Sequence, residues 1–226
     1  MDYLFPAKEE RRLKTRYGSA RAYVCAAGDR EFLFLPRHGK DHSIPPHRIN
    51  FRANIQALRD AGVERVIATS AVGSISKKLR VGELGLLDQF IDLSKRHLTF
   101  FDRRPVHVDM THPYDPGLQA LILKASSALG MSLTSGLVYV SVDGPRYETA
   151  AEIRMFGVLG GDVVGMTGAP EAILANELGM RYASIVVATN WAAGMQERVS
   201  HEEVVAMMNE TAPRVRRLIE SAVEAA

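Results

Sequence analysis

The chain has 226 residues, 46% of them hydrophobic, and this length and apolar content suit one sizeable core and exclude a wholly disordered protein. Its 28 basic and 26 acidic residues are scattered, so the formal net charge of +2 indicates neither a nucleic-acid partner nor a membrane surface. The single cysteine, Cys25, excludes a disulfide scaffold and suits a reducing compartment. Because no apolar run is long enough for a signal peptide or a membrane span, we expect a cytoplasmic protein.

Apolar runs alternate with amphipathic segments along the chain, and this alternation predicts an α/β fold, in which crossover helices flank a central sheet. The predicted strands are Phe32–Pro36, Val63–Ser70, Leu84–Leu93, Leu137–Asp143, Asp162–Thr167 and Tyr182–Asn190. The predicted helices are about Arg48–Gly62, Asp115–Gly130, Thr149–Gly160, Ala169–Gly179 and Ser200–Ala226. No repeat or linker interrupts the pattern, which predicts one domain over residues 1–226. Ser200 and Glu203 predict a capping box at the start of the last helix.

Polar and small residues follow four of the apolar runs. Ligands gather at the carboxyl ends of strands in a parallel α/β sheet, so these residues are the first candidates for a site. Arg37 and His38 follow the first run, and a small-residue turn, Ser70–Ser74, follows the second. Thr167 and Asn190 end two later runs. A guanidinium, an imidazole, turn N–H groups and hydroxyls together predict an anion-binding site.

Simpler interpretations of these residues stay open. Arg37 could pair with an acid such as Asp41, and Met166 could be a core methionine. Three histidines at positions 38, 42 and 47 suggest zinc, but Pro45 and Pro46 interrupt any helix that would align them, and no second thiolate accompanies them. We therefore predict no metal site. The sequence also lacks the glycine fingerprint of dinucleotide sites and the Gly-x-Ser-x-Gly elbow of serine hydrolases.

Five longer motifs follow one another in a specific order. They are Arg37-His38-Gly39, Ser70-Ala71-Val72-Gly73, the block DGPRYETAAE at 143–152, Gly165-Met166-Thr167 and Ala169-Pro170-Glu171. From about Tyr17 to the C-terminus, the chain resembles the trimeric purine nucleoside phosphorylase and methylthioadenosine phosphorylase family. The resemblance implies a nucleoside phosphorylase-like fold, with a mixed central sheet flanked by helices. It also implies an enzyme in which inorganic phosphate attacks C1′ of a purine nucleoside as the base departs. Phosphate is then a co-substrate, and no cofactor or covalent nucleophile is needed.

The resemblance assigns a role to individual side chains of those motifs. Met166 resembles the residue that lies against the ribose, and Tyr147 takes the place of an aromatic ring that packs on the purine. The positions that resemble the family's phosphate contacts are Arg37, His38, Ser70, Ala71 and Thr167.

Two positions predict which base is used. Asn190 stands where the adenosine branch of the family has an aspartate; its amide can donate to O6 of a 6-oxopurine, and its carbonyl oxygen can receive the N7 proton gained as the base leaves. Glu148 can accept from N1–H of the same base. Either residue alone could be a surface or cap residue, but the pair favours inosine or guanosine over adenosine. Asn190 and His38 are the two predicted catalytic residues.

For the 5′ group of the nucleoside sugar, the sequence supports two alternatives. His201 resembles the histidine that bonds the 5′-hydroxyl in inosine and guanosine enzymes, whereas the stretches 112–115 and 190–194 are closer to the methylthioinosine enzymes. S-methyl-5′-thioinosine is therefore the alternative substrate. The resemblance also places Ala192 among the substrate-binding residues and implies that His107 reaches the 5′ pocket of a neighbour, which predicts a homotrimer or a hexamer.

One departure from the family concerns the start of the chain. Family members begin with an apolar strand and a glycine-rich loop that helps to hold phosphate, whereas this sequence begins MDYLFP without such a loop. Three hypotheses follow: a phosphorylase, favoured by the retained Arg37 and Thr167; a phosphate-independent nucleoside hydrolase; and a non-catalytic purine-nucleoside-binding protein.

Overall fold

The computed structural model describes residues 5–226, in which eight strands form two sheets. The first sheet is antiparallel and contains β1 (Glu9–Thr15), β2 (Gly18–Ala27) and β3 (Arg30–Phe34). The second closes into a barrel in the order β4-β7-β6-β5-β8. Its strands are β4 (Arg65–Ser74), β5 (Leu84–Asp92), β6 (Thr134–Ser141), β7 (Val163–Gly165) and β8 (Arg181–Trp191). The predicted absence of a glycine-rich loop concerns in part residues 1–4, which lie outside the described residues.

The barrel is a mixed sheet, as the family resemblance implies. Strand β4 runs parallel to β8 along its whole length, and β5, β6 and β7 run parallel to one another. The pairs β5–β8 and β4–β7 are antiparallel, and the second of these rests on Gly73 opposite Val164 and Ser74 opposite Val163. All six predicted strands are present, as β3 to β8. The predicted turn Ser70–Ser74 is wrong, because these small residues continue β4 beside β7 and β8.

Strands β1 and β2 were not predicted from the sequence. Strand β1 reads EERRLKT, and most of its residues are exposed, so it carries no apolar pattern. It forms because its backbone pairs with β2 from Glu9 opposite Val24 to Thr15 opposite Gly18.

All five predicted helices are confirmed within a few residues. They are α1 (Phe51–Asp60), α2 (Pro116–Ala128), α3 (Ala150–Val158), α4 (Gly168–Glu177) and α5 (His201–Glu224), and a 3-10 turn, Pro46–Arg48, precedes α1. Four of the five helices begin at a side chain that accepts a backbone N–H bond: Asn50, Asp115, Thr149 and Ser200. Within residues 5–226, none of these helices has the length and apolar character needed to span a bilayer.

The capping box predicted at α5 is only half formed. The hydroxyl of Ser200 accepts from the N–H of Glu203 at 3.2 Å, but the Glu203 carboxylate accepts from Gln196 Nε2 at 2.8 Å instead of returning the bond. A complete capping box occurs at α3, where Thr149 and Glu152 bond each other's backbone N–H.

Candidate active site

A cavity of about 1280 Å³ opens beside β4 and β8 and gathers most of the predicted site residues. Ten of the twelve line it: Arg37, His38, Ser70, Ala71, Tyr147, Glu148, Met166, Thr167, Asn190 and His201. The other two are placed elsewhere in this chain. Ala192 is buried and its N–H donates to the carbonyl of Ser74 at 2.9 Å, while His107 is exposed. The roles of these two residues stay predictions.

Arg37 is fixed at one end of the cavity by a buried ion pair. Its Nε and Nη2 donate to the two carboxylate oxygens of Glu171 at 2.6 and 2.8 Å, and Nη1 donates to the carbonyl of Thr69 at 2.7 Å. The partner is therefore Glu171, and the pairing with Asp41 is wrong. Burial alone would lower the pKa of Arg37, but attraction and hydrogen bonding to Glu171 outweigh it and raise the pKa. Because a guanidinium has five N–H donors, two remain for a ligand.

Two buried tyrosines support this end of the cavity. The hydroxyl of Tyr182 donates to Glu171 at 2.9 Å, and burial, as the largest cause, raises the pKa of this hydroxyl far above its usual range, so it stays a donor. The hydroxyl oxygen of Tyr139 accepts from the N–H groups of Thr167 and Gly168, both at 3.1 Å, and fixes the start of α4. Burial raises the pKa of Tyr139 to about 12. Sequence reasoning assigned no role to Glu171, Tyr139 or Tyr182.

His38 has a defined tautomer. Its Nδ1 lies 2.9 Å from the carbonyl oxygen of Ile44, which can only accept, so Nδ1 carries the proton and Nε2 is left as an acceptor. Burial lowers the pKa of His38 to about 4, and the imidazole is therefore neutral near pH 7. Its ring stacks on His42 at 4.3 Å between centroids, and the His42 ring lies 5.8 Å from that of His201. Among residues 5–226, no group of three or more histidine, cysteine, aspartate or glutamate side chains is placed to hold a metal ion.

Two buried hydroxyls complete the wall beside Arg37. The Ser70 side chain is only 6% exposed, and its Oγ has no hydrogen-bond partner in the described part of the chain. A buried, unpaired hydroxyl in a cavity wall is a group that a bound ligand would satisfy. Thr167 precedes α4, is also nearly buried, and does not use its side chain to cap that helix.

The cavity lining also carries an amide and a carboxylate. Asn190 Oδ1 accepts from the Thr189 hydroxyl at 2.9 Å, and its Nδ2 donates to the carbonyl of Trp191 at 2.9 Å. One N–H and one lone pair of the amide remain for a ligand. Glu148 is half-buried, and burial, together with repulsion from Glu152, raises the pKa of its carboxyl.

Together these features define a cavity whose free guanidinium N–H groups suit a small anion and whose amide and carboxylate suit a ligand with a hydrogen-bonding edge. Residues 4–224 match the family described as the phosphorylase superfamily. This chain therefore belongs to the phosphorylase superfamily.

Named relatives give further detail. The "6-oxopurine nucleoside phosphorylase" of Pyrococcus furiosus is 48% identical over 98% of this chain and 88% of its own length. The "Probable S-methyl-5'-thioinosine phosphorylase" of Methanopyrus kandleri is 46% identical over 97% of this chain and 88% of its own. The solved methylthioadenosine phosphorylase of Schistosoma mansoni in complex with adenine superposes with a TM-score of 0.91 and 29% identity over 99% of this chain and 86% of that one. These likenesses agree with the mixed α/β fold described above.

Proposed function

We propose that this protein catalyses the phosphorolysis of a 6-oxopurine nucleoside, inosine or guanosine, to the free base and ribose 1-phosphate. The observation that carries the proposal is the orientation of Arg37. Glu171 and Thr69 take three of its five N–H donors and leave two, and the unpaired hydroxyl of Ser70 lines the same cavity. Such an arrangement suits a tetrahedral oxyanion, and family membership makes that anion phosphate.

In this proposal phosphate is both ligand and nucleophile. Arg37, Ser70 and Thr167 hold its oxygens, with Ala71 beside them. Because Nε2 of the neutral His38 can only accept, it takes a hydrogen bond from a protonated phosphate oxygen. A phosphate oxygen then forms a bond to C1′ as the bond from C1′ to N9 breaks, and the electron pair of that bond passes into the purine ring.

Asn190 acts on the departing base. As negative charge develops on the purine, N7 takes a proton from water, and the Asn190 carbonyl oxygen accepts the hydrogen bond from the resulting N7–H. The free N–H of the same amide donates to O6. The carboxylate of Glu148 accepts from N1–H, Tyr147 packs on the purine and Met166 lies against the ribose. Adenine presents a donor at position 6 and an unprotonated N1, so it would leave both polar side chains mismatched.

S-Methyl-5′-thioinosine is the alternative substrate, and the name of the Methanopyrus kandleri relative favours it. Against it, His201 lines the cavity and suits a 5′-hydroxyl, because a thioether sulfur is only a weak acceptor.

We also propose that the protein works in the cytoplasm, in purine salvage, as a homotrimer or hexamer. The exposed position of His107, away from the cavity of its own chain, supports a role in a neighbour's pocket.

The test is to incubate the protein with inosine in phosphate-free buffer and then with added phosphate, measuring hypoxanthine and ribose 1-phosphate. We expect hypoxanthine only with phosphate, and one ribose 1-phosphate for each hypoxanthine. Guanosine should replace inosine, and adenosine should not. Equal base release without phosphate would indicate a hydrolase, and binding of inosine without any base release would indicate a non-catalytic protein; either result overturns the proposal.

A further inference from the structure

We propose that Arg96 is a positioning residue that aligns the base-binding part of the site with the residue that lies against the sugar. The inference rests on the proposed function, because that function assigns the base to Tyr147 and Glu148 and the sugar to Met166. These residues come from two separate segments. Residues 143–148, named here the base loop, follow β6, and Met166 follows β7 directly.

One guanidinium joins the two segments. Arg96 Nη2 donates to the backbone carbonyl of Asp143 at 2.5 Å, and Nη1 donates to the backbone carbonyl of Met166 at 3.1 Å. Its Nε also lies 3.2 Å from Oδ1 of the Asp143 side chain. The planar group thus fixes the first residue of the base loop relative to the residue placed against the ribose.

Neighbouring contacts make this junction tight. The N–H of Lys95 donates to Oδ2 of Asp143 at 3.1 Å. The backbone of Lys95 and the side chain of Arg96 therefore hold the same carboxylate. Gly144 follows Asp143 with φ +65°, and a Cβ added to it would lie 2.3 Å from the Met166 sulfur. The base loop and the Met166 side chain are therefore in direct contact, and a shift in one displaces the other.

The geometry requires an arginine. The Arg96 side chain is 12% exposed and its guanidinium carbon lies 5.4 Å from the centre of the Phe51 ring. Burial lowers the pKa of Arg96, against the attraction of Asp143, yet a guanidinium stays charged at any physiological pH. An ammonium is a single point charge on a flexible stem, so a lysine cannot bond both carbonyls with the fixed spacing of the guanidinium.

The first experiment is the substitution Arg96→Lys in the full chain, with steady-state kinetics for inosine and for phosphate. Loosening the base loop weakens nucleoside binding, so we expect KM for inosine to rise at least about tenfold. KM for phosphate should change less than about threefold, because Arg37 is held independently by Glu171. A residue that only stabilises the fold would change neither KM, because the folded fraction would keep the parent's values.

Arg52→Lys is the matched control. Arg52 also pairs with an aspartate, Asp102, at 2.9 Å and also lies over an aromatic ring, Tyr17, at 5.1 Å, but it contacts neither segment of the site. We expect its kinetic constants to equal those of the parent. A second variant, Arg96→Ala, should have the same high KM for inosine, and added methylguanidinium should lower that KM.

The outcomes separate the two proposals. A parent protein that does not release base from inosine refutes the proposed function and the role of Arg96 with it. If the parent is active and both Arg96 variants keep its KM for inosine, with kcat reduced only in step with the folded fraction seen by circular dichroism, the positioning role is overturned. A raised KM for inosine that methylguanidinium lowers, with Arg52→Lys unchanged, supports it.

Discussion

The part of the cavity proposed to bind phosphate, here the phosphate end, and the part proposed to bind the nucleoside, here the nucleoside end, are built differently. At the phosphate end, Arg37, Glu171 and Tyr182 form a buried chain of hydrogen bonds, and Tyr139 holds the start of α4. At the nucleoside end, Tyr147 and Glu148 are half-buried on a loop and His201 is exposed at the start of α5. The group that we propose for binding the nucleophile is therefore fixed by contacts within the protein, and such preorganisation lowers the cost of reorganisation during a reaction.

The relatives share a reaction by name and differ in the nucleoside named. Three of them are named for different nucleosides, a 6-oxopurine nucleoside, methylthioinosine and methylthioadenosine, and all three are named phosphorylases. A rigid phosphate end combined with an adaptable nucleoside end accounts for such a division. If it holds here, substitutions at the two ends should change different measured quantities.

The largest expected effect is on stability, at the phosphate end. Glu171→Gln leaves Arg37 buried without a counter-charge, and breaking a buried pair in this way costs about 3–5 kcal/mol of unfolding free energy. Urea denaturation measures it. Glu31→Gln, which removes an exposed pair with Lys8, is the control and should unfold as the parent does. Equal urea midpoints for the parent and both variants would show that the buried pair stabilises the protein no more than the exposed pair does.

The next effect is on base choice. Asn190→Asp replaces the N–H that donates to O6 by an acceptor, which suits the 6-amino group of adenosine. We expect the ratio of kcat/KM for adenosine to that for inosine to rise about 100-fold or more. The comparison is internal to each protein, so differences in active fraction cancel. A parent that already uses adenosine and inosine equally would contradict the assignment of Asn190 and Glu148.

At the phosphate end, Arg37→Lys keeps the charge and loses the paired donors. Loss of one charge-assisted hydrogen bond corresponds to a rise of about 10–100-fold in KM for phosphate. KM for inosine should stay close to that of the parent. Phosphate titrations at saturating inosine measure the change; if the curves of variant and parent overlay, Arg37 does not bind phosphate.

A smaller effect is expected at the 5′ end. The parent should use inosine at least as well as S-methyl-5′-thioinosine, and His201→Leu should reverse this order by about tenfold, the range that one group in a pocket controls. Specificity constants for both nucleosides decide the matter. A strong preference of the parent for the methylthio substrate would mean that apolar neighbours dominate this pocket.

The smallest expected effect is on the pH profile. The pKa of Glu148 lies above its usual value because burial disfavours the charged form. The carboxylate must be ionised to accept from N1–H, so kcat/KM for inosine should rise as pH increases through that raised pKa. Glu148→Gln should lower activity and remove this rise. A rise that persists in the variant would have to come from another group.

Local patterns predict the helices well and the exposed strands poorly. The N-cap Thr149 and the buried run of β8 are visible in the sequence, because capping and full burial depend on nearby residue types. Strand β1 is polar and forms through backbone pairing with β2, so its residue types carry no signal.

The sequence predicts most of the residues that line the cavity, but it does not predict the contacts that hold them. The local candidate partner of Arg37 was Asp41, yet Glu171, 134 residues away, is the one the fold brings to it. Tyr139 and Tyr182 lie in apolar strands, where the sequence pattern indicates a core residue. Their hydroxyls gain a role only because the fold buries them beside Thr167 and Glu171. Arg96 was missed because its bonds go to backbone carbonyls of Asp143 and Met166.

The most direct test of the central claim uses phosphate labelled with ¹⁸O at all four oxygens, supplied with inosine in unlabelled water. We expect ribose 1-phosphate in which all four phosphate oxygens are labelled, because the bridging oxygen comes from the attacking phosphate. The ³¹P resonance of the product reports the label. Free ribose as the product, with the phosphate pool unconsumed, would show that water attacks C1′ and would contradict phosphate binding at Arg37 as the basis of the reaction.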